Sequence, residues 1–402
     1  MLSGRLFRSA LLLTSGLLAV VQANQPTSNL NFESFEERAA STSFGYKEDG
    51  ASWVIDSGAG LTVKVDQGTC DIASMIWNKA ELQTWQRKSH INSGLGKIKT
   101  SIESLKDKTI QISCKTPGLE HTYLFRPNEN VIYMGTYHTK EYEMGNLRFI
   151  ARLARKPMDN PMVPECKIDN MTPIEGHDVF ADSKGITASK FYSGIPFIDD
   201  KVHGVTGDAG GVFFIMSDYA YERSTTASAS TDPTLIFNDG KQPAVSDVKF
   251  DFFQDLNLTG FVPETDRGTW TGTITDKGGV LSNSSVVVGF SNADAQYWVK
   301  VDSTTKPFTS PKMVPGTYNT TIYKNQLPVS SEPITIASGS APADSAKALT
   351  VTYEPAAEPL WRIGAWDGTP EGFLNADRIY RSHPSDSRMK PWKPLNFTIG
   401  TD

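Results

Sequence analysis

The sequence predicts an all-β protein, and two observations lead to that prediction. Short runs rich in Val, Ile, Thr, Tyr and Phe alternate with turns of Gly, Asn, Asp and Pro, which is typical of strands joined by tight connections. Helical patterns are almost absent. Strand predictions in the first part of the chain include Ser52–Asp56, Leu61–Val65, Thr109–Cys114, Val131–Thr136 and Gly211–Met216.

The spacing of these runs predicts an order of domains. Residues 24–260 hold no clean linker and predict one large β-sandwich domain. Residues 261–353 predict a second, smaller β-sandwich, and residues 354–402 begin a domain that is too short for a complete sandwich of about 100 residues. The strands predicted in the second sandwich are Thr269–Thr275, Val286–Phe290, Ala295–Val301, Thr317–Lys324, Ile334–Ile336 and Ala348–Tyr353.

The N-terminal residues predict export from the cell. Arg5 and Arg8 precede the apolar stretch Ala10–Val21, which is too short to span a bilayer, so we interpret residues 1–23 as a signal peptide. The protein is therefore expected to be extracellular, to have no membrane segment and to be a monomer. Glycosylation is predicted at five N-x-S/T sites, namely Asn170, Asn257, Asn283, Asn319 and Asn396.

Charge and cysteine content exclude several classes of function. The net charge of −6 argues against nucleic-acid binding, which needs a basic surplus. Of three cysteines, Cys70 and Cys114 both fall in strand-like runs and are predicted to form a disulfide, which leaves Cys166 as a buried thiol. No zinc spacing or nucleotide-binding motif is found, so no cofactor is predicted. A calcium site needs no local motif outside EF-hands, and that alternative stays open.

Several longer motifs are spread over the chain from about residue 42 onwards. The most distinctive is Trp361–Phe373, followed by Asn375–Asp377 and His383–Met389. Upstream motifs occur at Phe44–Lys47, Ser93–Gly96, Arg148–Arg152, Ser189–Ser193, Gly204–Asp208 and Ala295–Trp298. In this order, they resemble family 4 of the polysaccharide lyases, the rhamnogalacturonan endolyases of fungal type.

The resemblance implies both an architecture and a reaction. It implies a catalytic β-sandwich, a fibronectin-III-like sandwich and a carbohydrate-binding jelly roll, the last truncated in this chain. It also implies cleavage of the rhamnose–galacturonate backbone of pectin by β-elimination, which leaves an unsaturated galacturonate. The expected partner is therefore rhamnogalacturonan I.

This reaction needs cations as well as a base. Loss of the C5 proton adds charge beside a carboxylate, and cationic donors on that carboxylate would stabilise the intermediate. Arg148 and Arg152 are four residues apart in a strand-like segment, which predicts that they share one face and bind a carboxylate through paired hydrogen bonds. Lys190 matches the family's catalytic lysine and is expected to remove the C5 proton or to neutralise charge.

The chain departs from the family pattern at one important point. The resemblance implies a histidine that acts as partner acid or base downstream of Lys190, but no histidine occurs between residues 204 and 382. The low-complexity run Ser224–Thr231 lies in that interval. This departure predicts reduced or absent lyase activity. Two alternatives therefore stay open, a non-catalytic pectin-binding protein and a structural β protein of the cell surface.

Overall fold

The computed structural model describes a large part of the chain, and every structural statement below concerns those residues. All regular structure within them is β-strand or short 3-10 helix, as the composition predicts, so the all-β prediction is confirmed. The described residues are 43–139, 147–158, 160–163, 170–175, 179–189, 197, 201–217, 222, 234–282, 284–302, 307–325, 327–339, 347–352 and 385–387.

Eighteen strands precede residue 240 and form four antiparallel sheets. The first five strands form one sheet in sequential order, and a larger sheet has eight strands in the order β12-β16-β17-β18-β10-β9-β8-β7. The strands are β1 Gly45–Asp49, β2 Ser52–Asp56, β3 Leu61–Asp66, β4 Ile72–Trp77, β5 Ala80–Glu81, β6 His90–Ile91, β7 Lys99–Ser104, β8 Ile110–Thr116, β9 Leu119–Phe125, β10 Val131–His138, β11 Phe149–Ile150, β12 Asn160–Val163, β13 Thr172–Glu175, β14 Val179–Ala181, β15 Thr187–Ser189, β16 Val202–Gly207, β17 Gly210–Ile215 and β18 Thr234–Asn238.

The central strands of the eight-stranded sheet are buried on both faces. Alternate side chains of β10 enter different cores: Ile132 packs with residues of the five-stranded sheet, and Tyr133 packs with residues of the segment that follows β18. This is the period-two alternation of a strand. In the second core, the Tyr133 ring lies 4.9 Å from that of Phe252 and 6.0 Å from that of Phe253. Both faces are therefore covered by apolar side chains, which excludes water from the sheet.

The segment after β18 contains three short 3-10 helices. They span Val245–Asp247, Asp251–Asp255 and Glu264–Asp266. The second of these helices carries the two buried phenylalanines that cover the outer face of the large sheet.

Seven further strands form a second pair of sheets with its own core. One sheet has the order β22-β19-β25, with β19 and β25 parallel, and the other has the order β21-β20-β23-β24. Their apolar side chains form one buried cluster around Val288, Phe290 and Tyr318. The strands are β19 Thr271–Lys277, β20 Val286–Ser291, β21 Gln296–Val301, β22 Phe308–Thr309, β23 Gly316–Lys324, β24 Leu327–Ile336 and β25 Lys347–Thr352.

A disulfide joins Cys70 to Cys114, with Cα atoms 6.0 Å apart. The sequence predicts both residues in strands, but only Cys114 lies in one. Cys70 lies in the turn between β3 and β4 with a φ of 65°. The Asp66 side chain accepts the backbone N–H groups of Gly68 and Thr69, and this local hydrogen bonding closes a turn instead of continuing the strand.

Removal of this disulfide should destabilise the large domain. The bond closes a loop with a sequence separation of 44, for which the chain-entropy relation gives about 4 kcal/mol. We expect the Cys70→Ser/Cys114→Ser double variant to lose roughly 2–5 kcal/mol of unfolding free energy, measured by urea denaturation. A urea midpoint equal to that of the wild type would contradict this expectation. Cys166 is unchanged in both proteins, so any thiol chemistry at that position affects both alike.

Burial of His121 predicts a pH-dependent stability. The side chain is fully buried, its Nδ1 lies 2.8 Å from the Thr136 hydroxyl, and burial lowers its pKa to about 3. An unfolded histidine has a pKa of about 6.5, so the unfolded chain binds an additional proton between these values and stability falls as the pH drops through this window.

When the pH falls from 7 to 5, protonation of His121 in the unfolded chain should lower the free energy of unfolding by about 2 kcal/mol. The His121→Phe variant keeps a ring in the core and has no titrating group, so its unfolding free energy should fall by that much less over the same interval. Urea unfolding at both pH values measures the difference. Parallel pH dependences of the two proteins would show that His121 does not titrate as its burial requires.

Candidate active site

Arg148 and Arg152 lie on a segment that pairs with the strand containing His90. In the pairing of β11 with β6, Phe149 is opposite Ile91, and Ile150 is opposite His90. The contact extends beyond the ladder, because the Asn92 N–H donates to the Arg148 carbonyl over 2.7 Å. The strand is shorter than predicted, since the backbone N–H of Arg152 donates to the hydroxyl of Ser89 at 2.7 Å instead of to a backbone carbonyl.

Alternation along this segment turns the two arginines to the same side. Phe149 is buried in the core beneath the large sheet, and Ala151 and Leu153 pack against that core. Because successive side chains of an extended segment point to opposite sides, Arg148 and Arg152 lie on the side away from the core. Both are half-buried. This placement agrees with the shared face that their spacing predicts.

His90 belongs to the same face, which sequence reasoning missed. Its neighbour Ile91 enters the core, so the His90 side chain points the other way, opposite Ile150. The diagonal neighbour of His90 on the partner segment is then Arg148, a relation that typically spans about 7–8 Å in a sheet. The Arg152 carbonyl instead accepts the backbone N–H of Thr84 and belongs to a different pairing. The sequence holds no signal for this proximity, because it depends on the register between segments almost sixty residues apart.

The hydrogen bond of His90 determines which ring nitrogen carries a proton. Nδ1 lies 3.1 Å from the Asn92 carbonyl oxygen. A carbonyl oxygen only accepts hydrogen bonds, so Nδ1 must donate. The His90 ring is half-buried rather than sealed in the core.

Acidic residues border this face on the other side of His90. Ile72 and Ser89 exchange backbone hydrogen bonds of 2.8 and 3.0 Å, which brings Asp71 beside His90. Burial raises the pKa of the Asp71 carboxyl above its ordinary value, although a Thr69 hydrogen bond and the charges of His90 and Lys88 act in the opposite direction. The Asp71 carboxyl, on the residue that precedes β4, therefore lies close enough to His90 to interact with it electrostatically.

Asp66 and Lys88 form an ion pair next to this border, with 2.7 Å between Lys88 Nζ and Asp66 Oδ2. Burial acts to raise the pKa of Asp66, but the hydrogen bond from Lys88 and those from the backbone of Gly68 and Thr69 outweigh it, and the pKa lies below its usual range. Lys88 is thus engaged by Asp66.

Lys190 lies outside the described residues, but the strand that leads to it is held by a distant segment. β15 ends one residue before it, at Ser189. At the start of that strand, the Asp386 carboxylate accepts the backbone N–H of Thr187 at 2.7 Å and its hydroxyl at 2.8 Å. Asp386 is 1% exposed, so this contact is buried.

The remaining predicted sites lie either on the surface or outside the described residues. Asn170, Asn257 and Asn319 are exposed, as glycan acceptors must be. Asn283, Asn396 and Cys166 lie outside the described residues. Glycosylation stays a prediction at all five asparagines.

A cavity of about 600 Å³ lies elsewhere, between the large sheet and the second pair of sheets. Its charged lining among the described residues is acidic, with Glu120, Glu222 and Asp294, and it does not include Arg148 or Arg152. Carboxylates would repel a galacturonate, so the basic face around His90 is the better candidate for an acidic sugar.

The described residues contain neither a metal-binding cluster nor a membrane-spanning helix. There, no group of three or more His, Cys, Asp or Glu side chains is placed to hold a metal ion. In that same part of the chain, no helix is long and apolar enough to cross a bilayer.

Comparison with known proteins identifies the family. Residues 44–230 match "Rhamnogalacturonan lyase B, N-terminal", residues 266–343 match "Polysaccharide lyase family 4, domain II", and residues 359–402 match "Polysaccharide lyase family 4, domain III".

Curated fungal proteins match along nearly the whole chain. A Neurospora crassa protein named as a rhamnogalacturonase is 36% identical over 90% of this chain and 73% of its own length. Rhamnogalacturonate lyase A of Aspergillus niger is 35% identical over 87% of this chain and 75% of its own length. Rhamnogalacturonate lyase A of Emericella nidulans is 33% identical over 90% and 73%. This chain therefore belongs to polysaccharide lyase family 4, the family of the rhamnogalacturonan lyases.

Proposed function

We propose that this protein is an extracellular rhamnogalacturonan lyase that cleaves the pectin backbone by β-elimination. The observation that carries the proposal is the shared face of Arg148 and Arg152, which stands on the rim of a well-packed core. Membership of the lyase family supports the same chemistry. The substrate class is a polymer of alternating rhamnose and galacturonate, and its carboxylates suit a pair of guanidinium groups.

The arginines would act on the carboxylate of the sugar that loses a proton. Removal of the C5 proton sends negative charge into that carboxylate, and two donors already aimed at it stabilise the developing charge without reorganisation. Arginine suits this task better than lysine because its planar group donates two parallel hydrogen bonds. The half-buried position of both residues strengthens the interaction relative to one in bulk water.

Lys190 is proposed as the group that takes the C5 proton. Its amine must be neutral to do so, and positive neighbours or burial would favour the neutral form. The electron pair of the C5–H bond then forms the C4=C5 double bond, and the C4–O bond breaks. No metal or organic cofactor is needed for this sequence of steps, and we propose that the protein works as a monomer without one.

A second function is favoured by one feature of the sequence. No histidine occurs between residues 204 and 382, where the resemblance implies a partner acid or base. A protein that retained the arginine face but lacked a working proton-transfer pair would bind pectin without cutting it. Loss of one proton-transfer group typically lowers the rate about 10²- to 10⁴-fold, so a slow lyase and a pure binding protein differ in a measurable way.

The decisive measurement is the ultraviolet absorbance of unsaturated uronates during incubation with rhamnogalacturonan. We expect absorbance to rise with the wild type and to rise at least about 10²-fold more slowly with Lys190→Ala, because the base is lost. Lys184→Ala is the matched control, since Lys184 is an exposed lysine near the same strand. Bound polymer with no absorbance change in the wild type would instead establish the binding protein.

Substitution of the arginines should weaken binding in a graded way. Arg148→Lys and Arg152→Lys keep the charge but lose the paired hydrogen bonds, and the alanine variants lose both. Hydrogen bonds to charged groups contribute about 1.5–3 kcal/mol, so each alanine variant should weaken binding roughly 10- to 100-fold, with the lysine variants in between.

Calorimetric titration with rhamnogalacturonan oligosaccharides in the Lys190→Ala background measures these affinities without turnover. Arg155→Ala is the matched control, because Arg155 is an exposed arginine three residues along the same segment. Equal affinities for Arg148→Ala and Arg155→Ala would remove Arg148 from the carboxylate site.

A further inference from the structure

Trp85 is a large apolar side chain that the fold leaves in water. It is 91% exposed, and in the described part of the chain the next most exposed large apolar side chains, Ile174 and Tyr46, reach only 43% and 40%. The fold therefore forgoes the free energy that burial of this ring would gain. None of the motifs and candidate residues described above includes Trp85, and it does not line the acidic cavity.

A buried amide holds the turn that carries Trp85. Gln83 is 4% exposed, and its Nε2 donates to the backbone carbonyls of Thr84 at 3.4 Å and Arg87 at 2.6 Å, on both sides of Trp85. The Gln83 Oε1 accepts the Ser89 hydroxyl at 2.7 Å. One buried side chain thus joins both ends of the turn, so the exposed ring stands on a preorganised support.

The same turn pairs with the segment that carries Arg152. Gln83 and Leu153 form an antiparallel bridge, and the Thr84 N–H donates to the Arg152 carbonyl at 2.9 Å. Trp85 is therefore the residue after the one opposite Arg152. Arg152 is half-buried and Trp85 is exposed, so the two side chains reach solvent from neighbouring backbone positions.

We propose that Trp85 is a stacking platform for a rhamnose ring, next to the galacturonate whose carboxylate binds Arg148 and Arg152. This inference rests on the proposed substrate class and adds a determinant of specificity to it. It does not depend on which group moves the proton, so a lyase and a pectin-binding protein would use Trp85 alike.

Rhamnose suits the face of an indole ring better than galacturonate does. That face carries partial negative charge, which attracts the C–H groups of a sugar and repels a carboxylate. Rhamnose carries a methyl group where galacturonate carries its carboxylate. In a polymer that alternates the two sugars, each internal galacturonate has rhamnose on both sides, so an aromatic ring beside a carboxylate site meets rhamnose. In a chain of galacturonate alone, the same position would hold a second carboxylate.

The test compares a rhamnogalacturonan hexasaccharide with a hexagalacturonate in the Lys190→Ala background. Calorimetric titration measures each affinity, and the absorbance of unsaturated uronates checks that both ligands stay intact. Trp85→Ala should weaken binding of the rhamnogalacturonan hexasaccharide about 10- to 100-fold, the range for loss of an aromatic anchor. Binding of the hexagalacturonate should change by less than about threefold, because no rhamnose is there to stack. Trp85→Phe keeps a smaller ring and should fall between parent and alanine variant.

Two exposed side chains serve as matched controls. Gln86→Ala changes the next residue of the same turn. Tyr46→Ala removes an exposed ring from β1, at the opposite edge of the five-stranded sheet from β5. Neither variant should change either affinity, and urea unfolding checks that every variant is folded.

Tryptophan emission reports on the ring directly. The difference spectrum between the parent and Trp85→Ala isolates Trp85, and it should show the red emission of a ring in water, with a shift to the blue when the rhamnogalacturonan hexasaccharide binds. Blue emission without ligand at every protein concentration would show that another segment of this chain covers the ring. Blue emission that grows with protein concentration would show a second copy on it, and either result would overturn the proposal.

The remaining outcomes separate this inference from the lyase proposal. Equal losses of affinity for the two hexasaccharides, or no loss for either, would overturn the rhamnose platform and leave the lyase proposal intact. A folded wild type that binds rhamnogalacturonan through Trp85 but forms no unsaturated uronate would overturn the lyase proposal alone. A folded protein that binds neither hexasaccharide would overturn both.

Discussion

The two-sided burial of the central strands of the eight-stranded sheet is the constraint on which the rest of the structure depends. Because alternate residues of these strands enter different cores, a slip of one residue would exchange the two sets of side chains and mismatch the packing of both cores. The same core anchors the candidate site. Phe149 lies 6.1 Å from the ring of His121 and 6.2 Å from that of Tyr123, both on β9. With Phe149 held inward, Arg148 on the adjoining position must point outward.

The candidate site thus consists of the guanidinium groups of Arg148 and Arg152, carried by a segment whose other side packs against the apolar core. The backbone that carries them is held by strand pairing and by the packing of the residues between them. Exposed ion pairs such as Lys64 with Asp49 contribute little to stability in general. A packed core beneath the face restricts the backbone on which the guanidinium groups are mounted, and such preorganisation is what stabilisation of a developing charge requires.

Two carboxylates, the buried Asp386 and the partly buried Glu222, tie distant parts of the chain to the large domain. Asp386 holds Thr187, and Glu222 binds the buried guanidinium of Arg267 and accepts the Tyr297 hydroxyl. Each carboxylate is buried or largely so and has several donors, which offsets the cost of its removal from water. Loss of a donor would leave a charge with too few partners. The segments around 267–297 and 385–387 therefore contribute to the same folded unit as the sheets.

Much of the fold could be predicted from local pattern. Strand β2 has the predicted bounds, and β19, β20, β21, β23 and β25 lie close to the predicted positions, because alternation and turn residues are local properties. The short strand β22 was not predicted, and β24 begins at Leu327, seven residues before its predicted start. The Cys70 turn was missed, since side-chain hydrogen bonds of Asp66 override strand propensity there. The spacing of Arg148 and Arg152 could predict a shared face. Family motifs pointed to Lys190, whose surroundings lie outside the described residues.

The sequence by itself determined the all-β class, the family and the arginine pair, because each is encoded in neighbouring residues or in ordered motifs. Only the tertiary structure decided that His90 pairs with Ile150 beside Arg148, that Asp71 lies near His90, and that Asp386 reaches Thr187. These contacts join residues separated by as many as 199 positions. They depend on strand register and sheet packing, which arise from the summed burial of many side chains and leave no signature in any single stretch of sequence.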